Sequence, residues 1–250
     1  MRPAPELLVA ALPGAVGGFT TRSGGVSAPP WDRLNLARHV GDDRAAVAAN
    51  RDAVAAARFG GVAIAFPEQV HGRNVAVAAR PAGNDEWPDG AGCDAVVTAV
   101  DGVPIGVLVA DCMPVLFVDA AAGVVGAAHA GRRGLVAGVL PATLEAMTGL
   151  GADPARTIAV IGPAICGRCY EVPAEMRDEV GAAVPGTACA TAAGTPGLDL
   201  PAGALGVLRA AGVTAHSVGI CTAEDERFYS FRRDGVTGRF AGMVMLSGDG

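Results

Sequence analysis

The sequence predicts a single α+β domain over residues 1–250, in which helices pack on a mixed β-sheet. Hydrophobic residues make up 51% of the chain and charged residues only 18%, which is ample for one large core. Apolar runs of strand length occur beside segments that carry Ala and Val at helical spacing. Between residues 75 and 128 several predicted strands follow one another without a helix. This order favours a mixed sheet over a regular doubly wound fold.

Helices are predicted where a capping residue or a proline precedes an apolar periodicity. The first covers residues 42–58 and opens with two aspartates, which suit a helix N-terminus. The second covers residues 132–147, and Pro141 is expected to bend or split it because proline removes a helical hydrogen bond. The last two, at residues 173–184 and 201–211, begin with a proline in the first turn.

Strands are predicted at short apolar runs that are bounded by turn residues. They cover residues 62–66, 75–79, 95–100, 105–110, 115–118, 124–128, 157–161, 215–220 and 240–246. Segments 81–92 and 187–197 are rich in turn-forming residues and are predicted to be loops. Neither loop separates two halves that each carry a full set of elements, so one domain with long loops is expected.

Composition excludes several classes of function. All 19 basic residues are arginine, and without lysine the chain has no amine for a P-loop, a Schiff base or pyridoxal phosphate. The net charge of −6 argues against a long nucleic-acid interface, which needs a basic surface. The most apolar stretch, residues 103–118, is interrupted by two prolines and an aspartate and falls short of the ~20 residues of a membrane span.

The cellular compartment follows from the N-terminal residues and the cysteines. Residues 1–9 lack the long apolar region of a signal peptide, so a cytoplasmic protein is expected. The six cysteines are then expected as free thiols or ligands rather than as a disulfide framework. Small molecules are the expected partners, with neither nucleic acid nor membrane among them, and the chain is expected to be a monomer or a homodimer.

Three potential metal ligands follow predicted strands. His71 comes after the apolar run 62–70, Cys112 after the strand 105–110, and His129 after the strand 124–128. Loops at strand ends collect to form sites in sheet proteins. If these residues meet, two imidazoles and one thiolate leave a fourth position open, as in catalytic zinc sites that activate water or polarise a substrate atom.

The same residues leave other chemistries open. Met113 beside Cys112 completes a ligand set that also suits copper, although four histidines are too few for a multicopper oxidase. Without a metal, Cys112 is a candidate nucleophile with His71 or His129 as its base, which would make the protein an amide or ester hydrolase. A non-enzymatic module with a structural zinc is a further alternative.

Two other patterns are candidates for binding. Cys166 and Cys169 have the C-x-x-C spacing, but the sequence contains no second such pair to complete a zinc site with four cysteines. Arginine-glycine clusters are candidate anion sites, and Arg133, at a predicted helix start, would add charge to backbone donors that hold a phosphate. The candidate substrate-binding residues are Arg133, Arg132, Arg22, Asn35, Arg232 and Arg233.

Seven segments, in one order along nearly the whole chain, give the sequence its resemblance to a known family. They are GGFTTRSGGVS (17–27), LNLARHVGDD (34–43), EQVHG (68–72), VADCMPVLFVD (109–119), AAHAGRRG (127–134), IGPAICGRCYEV (161–172) and FYSFRRDGVTGR (228–239). With them the chain resembles the bacterial laccase-domain proteins, which are named polyphenol oxidases, purine nucleoside phosphorylases or peptidoglycan editing factors.

The resemblance implies a fold, a metal site and an activity. The implied fold has α-β-α layers around a mixed sheet and is related to cysteine-hydrolase-like domains. The implied ligands are His71, Cys112 and His129, with Zn²⁺ as the metal and Cu²⁺ as the alternative. The implied activities are phosphorolysis of adenosine, inosine and S-methyl-5′-thioadenosine and deamination of adenosine, with amide hydrolysis of peptidoglycan precursors or copper-dependent polyphenol oxidation as alternatives. Arg132 stands where the family has Trp, and this difference bears on substrate preference.

Overall fold

Residues 4–82 and 91–247, which the computed structural model describes, form two stacked β-sheets with helices on their outer faces, and a separate sheet of two short strands. The predicted mixed α/β fold is confirmed, and its β layer is double. The helices are α1 (Arg44–Arg58), α2 (Arg132–Ala137), α3 (Val139–Gly149), α4 (Ala174–Ala183), α5 (Leu200–Ala210) and α6 (Phe231–Asp234). The strands are β1 (Leu7–Val9), β2 (Ala15–Thr20), β3 (Val75–Val77), β4 (Ala95–Thr98), β5 (Ile105–Val109), β6 (Met113–Asp119), β7 (Val124–Ala130), β8 (Ile158–Ile161), β9 (Ala188–Ala190), β10 (Pro196–Leu198), β11 (Thr214–Ser217) and β12 (Phe240–Leu246).

The two sheets differ in strand direction. The larger has the order β11-β8-β6-β7-β4-β3, with parallel pairs at both edges and antiparallel pairs at its centre. The smaller has the order β1-β2-β12-β5 and is antiparallel throughout. The chain therefore passes from the smaller sheet to the larger one in the short connection between β5 and β6.

Alternation of side chains along the central strands gives the larger sheet two buried faces. On β6, Val115 and Phe117 join the core that contains residues of α3, α4 and α5, whereas Leu116 and Val118 join the core shared with the smaller sheet. Every residue of β6 and β7 is buried. Burial on both faces explains why these strands have continuous apolar sequences.

Helix α1 packs with the outer face of the smaller sheet. Val54 and Phe59 share an apolar cluster with Leu108 of β5 and Met243 of β12. The predicted start of this helix is confirmed, because Asp43 is its N-cap and the Asp43 side chain accepts a hydrogen bond from a first-turn amide.

The predicted helix 132–147 is split, but not by proline. The break is at Gly138, which has φ +88° and ends α2 in the left-handed conformation that glycine adopts without a Cβ clash. Pro141 lies in the first turn of α3, where no intrahelical partner for its missing N–H is needed.

Several stretches differ from the prediction, among them residues 231–234, which form the unpredicted short helix α6. Residues 62–66 form one isolated bridge, between Ala65 and Ile105, rather than a strand. Residues 187–197 form the β9–β10 hairpin rather than a loop. The strands β1 and β2 are absent from the prediction because the glycine pair of β2 interrupts its apolar run. A Cβ at Gly18 would lie 2.5 Å from the carbonyl oxygen of Leu8, so the close approach of these strands requires glycine.

The loop predicted at 81–92 falls for the most part on residues 83–90, which lie outside the described residues. In the described part of the chain no helix combines the length and apolar character needed to cross a membrane.

Candidate active site

Antiparallel pairing brings three side chains to one end of the larger sheet. β7 ends where its neighbours begin, since Ala130 pairs with Met113 of β6 and Ala128 pairs with Ala95 of β4. Cys112, which precedes β6, and Asp94, which precedes β4, therefore lie on either side of His129. The structure corrects one detail of the sequence interpretation. Cys112 stands directly before β6, and His129 lies within β7 rather than after it.

His71 reaches the same place from a loop whose shape is set by Asp94. The Asp94 carboxylate accepts hydrogen bonds from the amides of Val70, His71 and Gly72, at 3.2, 2.9 and 2.6 Å. These bonds hold His71 at φ +61°, a left-handed conformation that is strained for a residue with a side chain. The His71 ring then lies edge to face with the His129 ring, with 4.7 Å between centroids.

Asp94 also orients His129. Its Oδ1 atom lies 2.8 Å from His129 Nδ1, and both side chains are buried. Because Nδ1 is engaged by the carboxylate, Nε2 is the nitrogen left to bind a metal or accept a proton. A carboxylate that is directly hydrogen-bonded to the imidazole in this way commonly orients a metal-binding histidine.

The donor atoms of His71, Cys112 and His129 lie within 4.8 Å of one another, and the Cys112 sulfur lies 4.0 Å from His71 Nε2. Burial raises the pKa of the Cys112 thiol, but His129 and His71 lower it to about 6. Burial lowers the pKa of His129, but Cys112 and Asp94 raise it to about 9. The pair thus favours the thiolate, which is the form of cysteine that binds metals and acts as a nucleophile.

The backbone around this trio leaves room for an ion. A Cβ on Gly131 would lie 2.8 Å from the Cys112 sulfur and 3.2 Å from His71 Cδ2, so only glycine fits beside both donors. Two imidazole nitrogens and one thiolate suit zinc, and they also suit copper. The residues present therefore fit a metal with three protein ligands and an open position.

The trio opens into a cavity of about 470 Å³, a volume typical of small-molecule sites. Arg132, Arg232 and Arg239 line it with positive charge. Apolar and aromatic side chains cover much of the remaining wall. They are Leu108, Val109, Ile165, Tyr170, Leu200 and Phe231.

Asp111 ties the wall of this cavity together. It has φ +82°, and its Oδ1 atom accepts a hydrogen bond from the Thr222 hydroxyl at 2.7 Å. Its Oδ2 atom accepts from the Arg232 amide at 2.6 Å. The Arg232 guanidinium lies over the ring of Tyr170, 5.0 Å from its centroid, and donates to the carbonyl of Glu171. These contacts fix one arginine and one aromatic ring on the same side of the cavity.

The remaining predicted binding residues lie elsewhere. Arg133 is exposed and does not line the cavity. Arg22 and Arg233 line a neighbouring cleft of about 560 Å³ that also contains acidic residues. Arg22 pairs with Asp32 at 3.1 Å, whereas Arg233 pairs with a neighbouring acid and donates to backbone carbonyls. Asn35 is buried, and its side-chain oxygen accepts a hydrogen bond from the Arg239 amide, so it supports the cavity indirectly.

Sequence reasoning missed five polar residues that shape the site. Asp94, Asp111, His39, Gln69 and Arg239 were not among the candidates. Asp94 carried a usable signal, since a lone acid directly precedes a strand that is otherwise apolar. Arg239 likewise directly precedes β12. Gln69 exchanges two hydrogen bonds of 2.8 Å with the backbone of Leu108, a contact that no sequence spacing indicates.

The chain is similar to known proteins over most of its length. The model of the family described as multi-copper polyphenol oxidoreductase laccase matches residues 16–247. Over 233 residues the chain is 55% identical to a Streptomyces griseus protein named purine nucleoside phosphorylase, a match that covers 91% of this chain and 93% of that protein. A Streptomyces coelicolor protein of the same name is 52% identical over 237 residues, covering 93% and 96%. The crystal structure of a Neisseria meningitidis protein superposes with a TM-score of 0.86 at 36% identity, covering 97% of this chain and 99% of that one.

Proposed function

The chain belongs to the multi-copper polyphenol oxidoreductase laccase family, and on that premise we propose that it is a zinc-dependent purine nucleoside phosphorylase. The proposed substrates are adenosine, inosine and S-methyl-5′-thioadenosine together with inorganic phosphate. Relatives that share half or more of their residues with it bear the name purine nucleoside phosphorylase. The proposed metal ligands are His71, Cys112 and His129.

One observation carries the proposal: a trio of metal donors and three arginines line the same cavity. Arg132 has no ion-pair partner in the described part of the chain, and the Arg239 guanidinium donates to the carbonyls of Thr237 and Gly238. Guanidinium groups without a carboxylate partner favour a bound anion, and a phosphate matches their forked donors. The chain therefore offers a phosphate site beside its metal donors.

The rest of the cavity suits a nucleoside. Tyr170 and Phe231 present aromatic surface, and Leu108 adds apolar surface close to the trio. A purine base is flat and largely apolar on its faces, so such side chains bind it by stacking and burial. The Gln69 side chain is held by two hydrogen bonds to the backbone of Leu108. These bonds fix the cavity wall at this point.

The reaction is a displacement at the sugar. A phosphate oxygen forms a bond to C1′ of the ribose while the bond from C1′ to N9 of the purine breaks. The electron pair leaves with the base, which takes up a proton, and the second product is the sugar 1-phosphate, which is ribose 1-phosphate for adenosine and inosine. The arginines hold the phosphate against C1′ and offset its charge, which makes the attack effectively unimolecular. When bound, zinc supplies a Lewis acid that stabilises negative charge developing on a substrate atom.

We extend the proposal to adenosine deamination, in which water replaces the amino group at C6 and inosine and ammonia are the products. What supports it is the donor set, because nucleobase deaminases also hold zinc with histidine and cysteine and keep one position open. The same cavity would bind adenosine for both reactions.

The two activities are separated by omitting phosphate. Purified protein loaded with zinc is incubated with inosine or adenosine, with and without phosphate, and products are resolved by chromatography. We expect hypoxanthine and ribose 1-phosphate in equal amounts from inosine only when phosphate is present. Inosine and ammonia should form from adenosine without phosphate. Base release that does not depend on phosphate would contradict a phosphorylase, and the Cys93→Ser variant, which alters a thiol outside the cavity, is the matched control.

A specific observation favours a second candidate, an amide hydrolase that acts on peptidoglycan precursors. Cys112, His129 and Asp94 have the order of a nucleophile, a base and an orienting carboxylate. In this reaction the Cys112 sulfur bonds to the carbonyl carbon, the amine leaves with a proton, and water releases the acyl group. A covalent acyl adduct on Cys112, seen by intact mass after incubation with muropeptides, supports this candidate. Full loss of muropeptide hydrolysis on chelation, with recovery on adding zinc, excludes Cys112 as the nucleophile and leaves only a zinc-dependent form of this hydrolase.

A further inference from the structure

A second cluster of metal-ligating side chains lies outside the cavity. The sulfur atoms of Cys166, Cys169 and Cys221 and a carboxylate oxygen of Glu224 lie within 4.8 Å of one another. None of the four lines the cavity that holds His71 and the rest of the trio. The sequence alone separates the two halves of this cluster by more than fifty residues, so only the fold reveals it.

Each half of the cluster is a tight turn with a two-residue spacer. In the first, the amides of Cys169 and Tyr170 both donate to the carbonyl of Cys166 at 3.0 Å. In the second, the amides of Glu224 and Asp225 donate to the carbonyl of Cys221 at 3.2 and 2.9 Å. A turn of this kind directs both of its donor side chains to one point, which is why x₂ spacing is common in zinc sites.

The two turns are fastened together by the backbone. Ala164 pairs with Cys221 in a parallel bridge, with hydrogen bonds of 3.1 Å from the Ala164 amide to Ile220 and from the Thr222 amide to Ala164. The Cys166 amide also donates to the Cys221 sulfur at 3.4 Å. The donors are therefore positioned by main-chain contacts that exist without any ion, as a preformed site requires.

Charge and burial match a divalent cation. Three thiolates and one carboxylate supply more negative charge than the ion neutralises, and Arg168 lies 3.3 Å from Glu224 to offset part of it. Cys221 is buried, whereas Glu224 is half exposed and gives the ion a path from solvent. The Cys169 sulfur lies 3.5 Å from the Glu224 carboxylate, so sulfur and oxygen donors already face one another.

We propose that Cys166, Cys169, Cys221 and Glu224 form a second, closed tetrahedral metal site that takes zinc. Sulfur-rich donor sets select zinc over calcium and magnesium, and four protein ligands leave no position for substrate, so the metal is structural. Ile165 and Tyr170, which line the cavity, flank the first turn, and Thr222 of the second turn holds Asp111. A metal here locks one wall of the cavity in place.

The test isolates the second site by removing the first. The double variant His71→Ala/Cys112→Ala lacks the cavity donors, and we expect it to retain about one zinc per chain by elemental analysis after purification in a reducing buffer. Adding Cys169→Ser and Cys221→Ser to that background should remove it. Cys93→Ser is the matched control, because Cys93 is a free thiol outside the cluster and its replacement should leave the zinc content unchanged.

A milder variant guards against loss of folding. Glu224→Gln keeps the size of a partly exposed side chain, and we expect zinc to pass to a colorimetric chelator at least about tenfold faster than from the unaltered cluster. The proposal is overturned if folded His71→Ala/Cys112→Ala protein contains no zinc and takes up none when Zn²⁺ is added. It is equally overturned if mass spectrometry finds a Cys166–Cys169 disulfide in that protein under reducing conditions. Because these readouts use no substrate, they stand or fall independently of the phosphorylase assay.

Discussion

The Oδ1 atom of Asp94 lies 2.8 Å from His129 Nδ1, and the same oxygen accepts the amide of His71 at 2.9 Å. One buried carboxylate thus positions two of the three proposed metal ligands, one through its side chain and one through its backbone. Such a support determines both the tautomer of a histidine and the path of a loop.

Asp94→Asn tests this support. The amide side chain keeps the size but loses the charge, and its NH₂ group cannot accept the amides that the carboxylate oxygens accept. We expect zinc affinity to fall by about 10- to 100-fold and stability to fall by roughly 1–3 kcal/mol. Competitive titration with a chelator measures the first effect and urea denaturation the second. Asp101→Asn, at an exposed turn, is the control, and equal zinc affinity in the two variants would disprove the role of Asp94.

Gly131→Ala tests whether the donors need the empty space beside them. The added Cβ would lie 2.8 Å from the Cys112 sulfur, so the sulfur or the backbone must move. We expect a folded protein that has lost most of its cavity zinc and its activity. Gly149→Ala is a suitable control because a Cβ at this helical glycine meets no atom within 4 Å. Unchanged activity in Gly131→Ala would show that the trio tolerates displacement.

Arg132 and Arg133 form a natural pair for testing phosphate binding. Arg132 lines the cavity, whereas the exposed Arg133 does not, although the sequence favoured Arg133 as the phosphate ligand. Arg132→Ala should raise the KM for phosphate by about 10- to 100-fold, the loss of one charge-assisted contact. Arg133→Ala should leave it unchanged, with zinc content normal in both. The reverse result would place the phosphate outside this cavity.

Arg132→Trp introduces the residue that the family resemblance implies for this position. It removes a cation and adds an aromatic face at the cavity wall. We expect the KM for phosphate to rise and the ranking of adenosine, inosine and S-methyl-5′-thioadenosine by kcat/KM to change. An unchanged ranking would mean that residue 132 contacts phosphate alone.

Asp119, whose side chain is fully buried, contributes to the pH dependence of stability. Burial raises the pKa of Asp119, but the hydrogen bonds from the Asp153 amide and from Arg156 lower it below its ordinary value overall. A folded-state pKa below the unfolded value stabilises the protein above the unfolded pKa of about 4, and this stability disappears as the pH falls through the folded value. Asp119→Asn should therefore cost roughly 1–3 kcal/mol at pH 7. The difference from the parent protein should shrink below pH ~4 in urea titrations. A pH-independent difference would contradict this account.

Local patterns predicted the fold class and most of the elements. Buried strands such as β6 and β7 carry continuous apolar runs, and capping residues such as Asp43 mark helix starts. The strand β2 was not predicted because its two glycines interrupt the apolar pattern. One of them, Gly18, is required by the close approach of the neighbouring strand β1. The break at Gly138 was not predicted either, because Pro141 was taken as the residue that interrupts the helix.

The sequence predicted those residues of the candidate site whose side chains are themselves reactive or metal-binding, but not the residues that position them. His71, Cys112 and His129 stood out because histidine and cysteine are scarce, and the structure brings their side chains together. Asp94 and Arg239 each directly precede a strand, but their place in the site depends on strand register and loop closure, which bring residues distant in sequence side by side. The second half of the cysteine cluster was hidden in the same way, because Glu224 completes a pattern that begins at Cys166.

The crossing from β5 to β6 has a mechanical consequence. Cys112 lies where the chain leaves one sheet and enters the other, whereas His129 belongs wholly to the second sheet. The distance between their donor atoms therefore depends on how the two sheets pack against each other. A substitution that disturbs packing between the sheets, far from any substrate, would therefore change the distance between the Cys112 sulfur and the His129 ring.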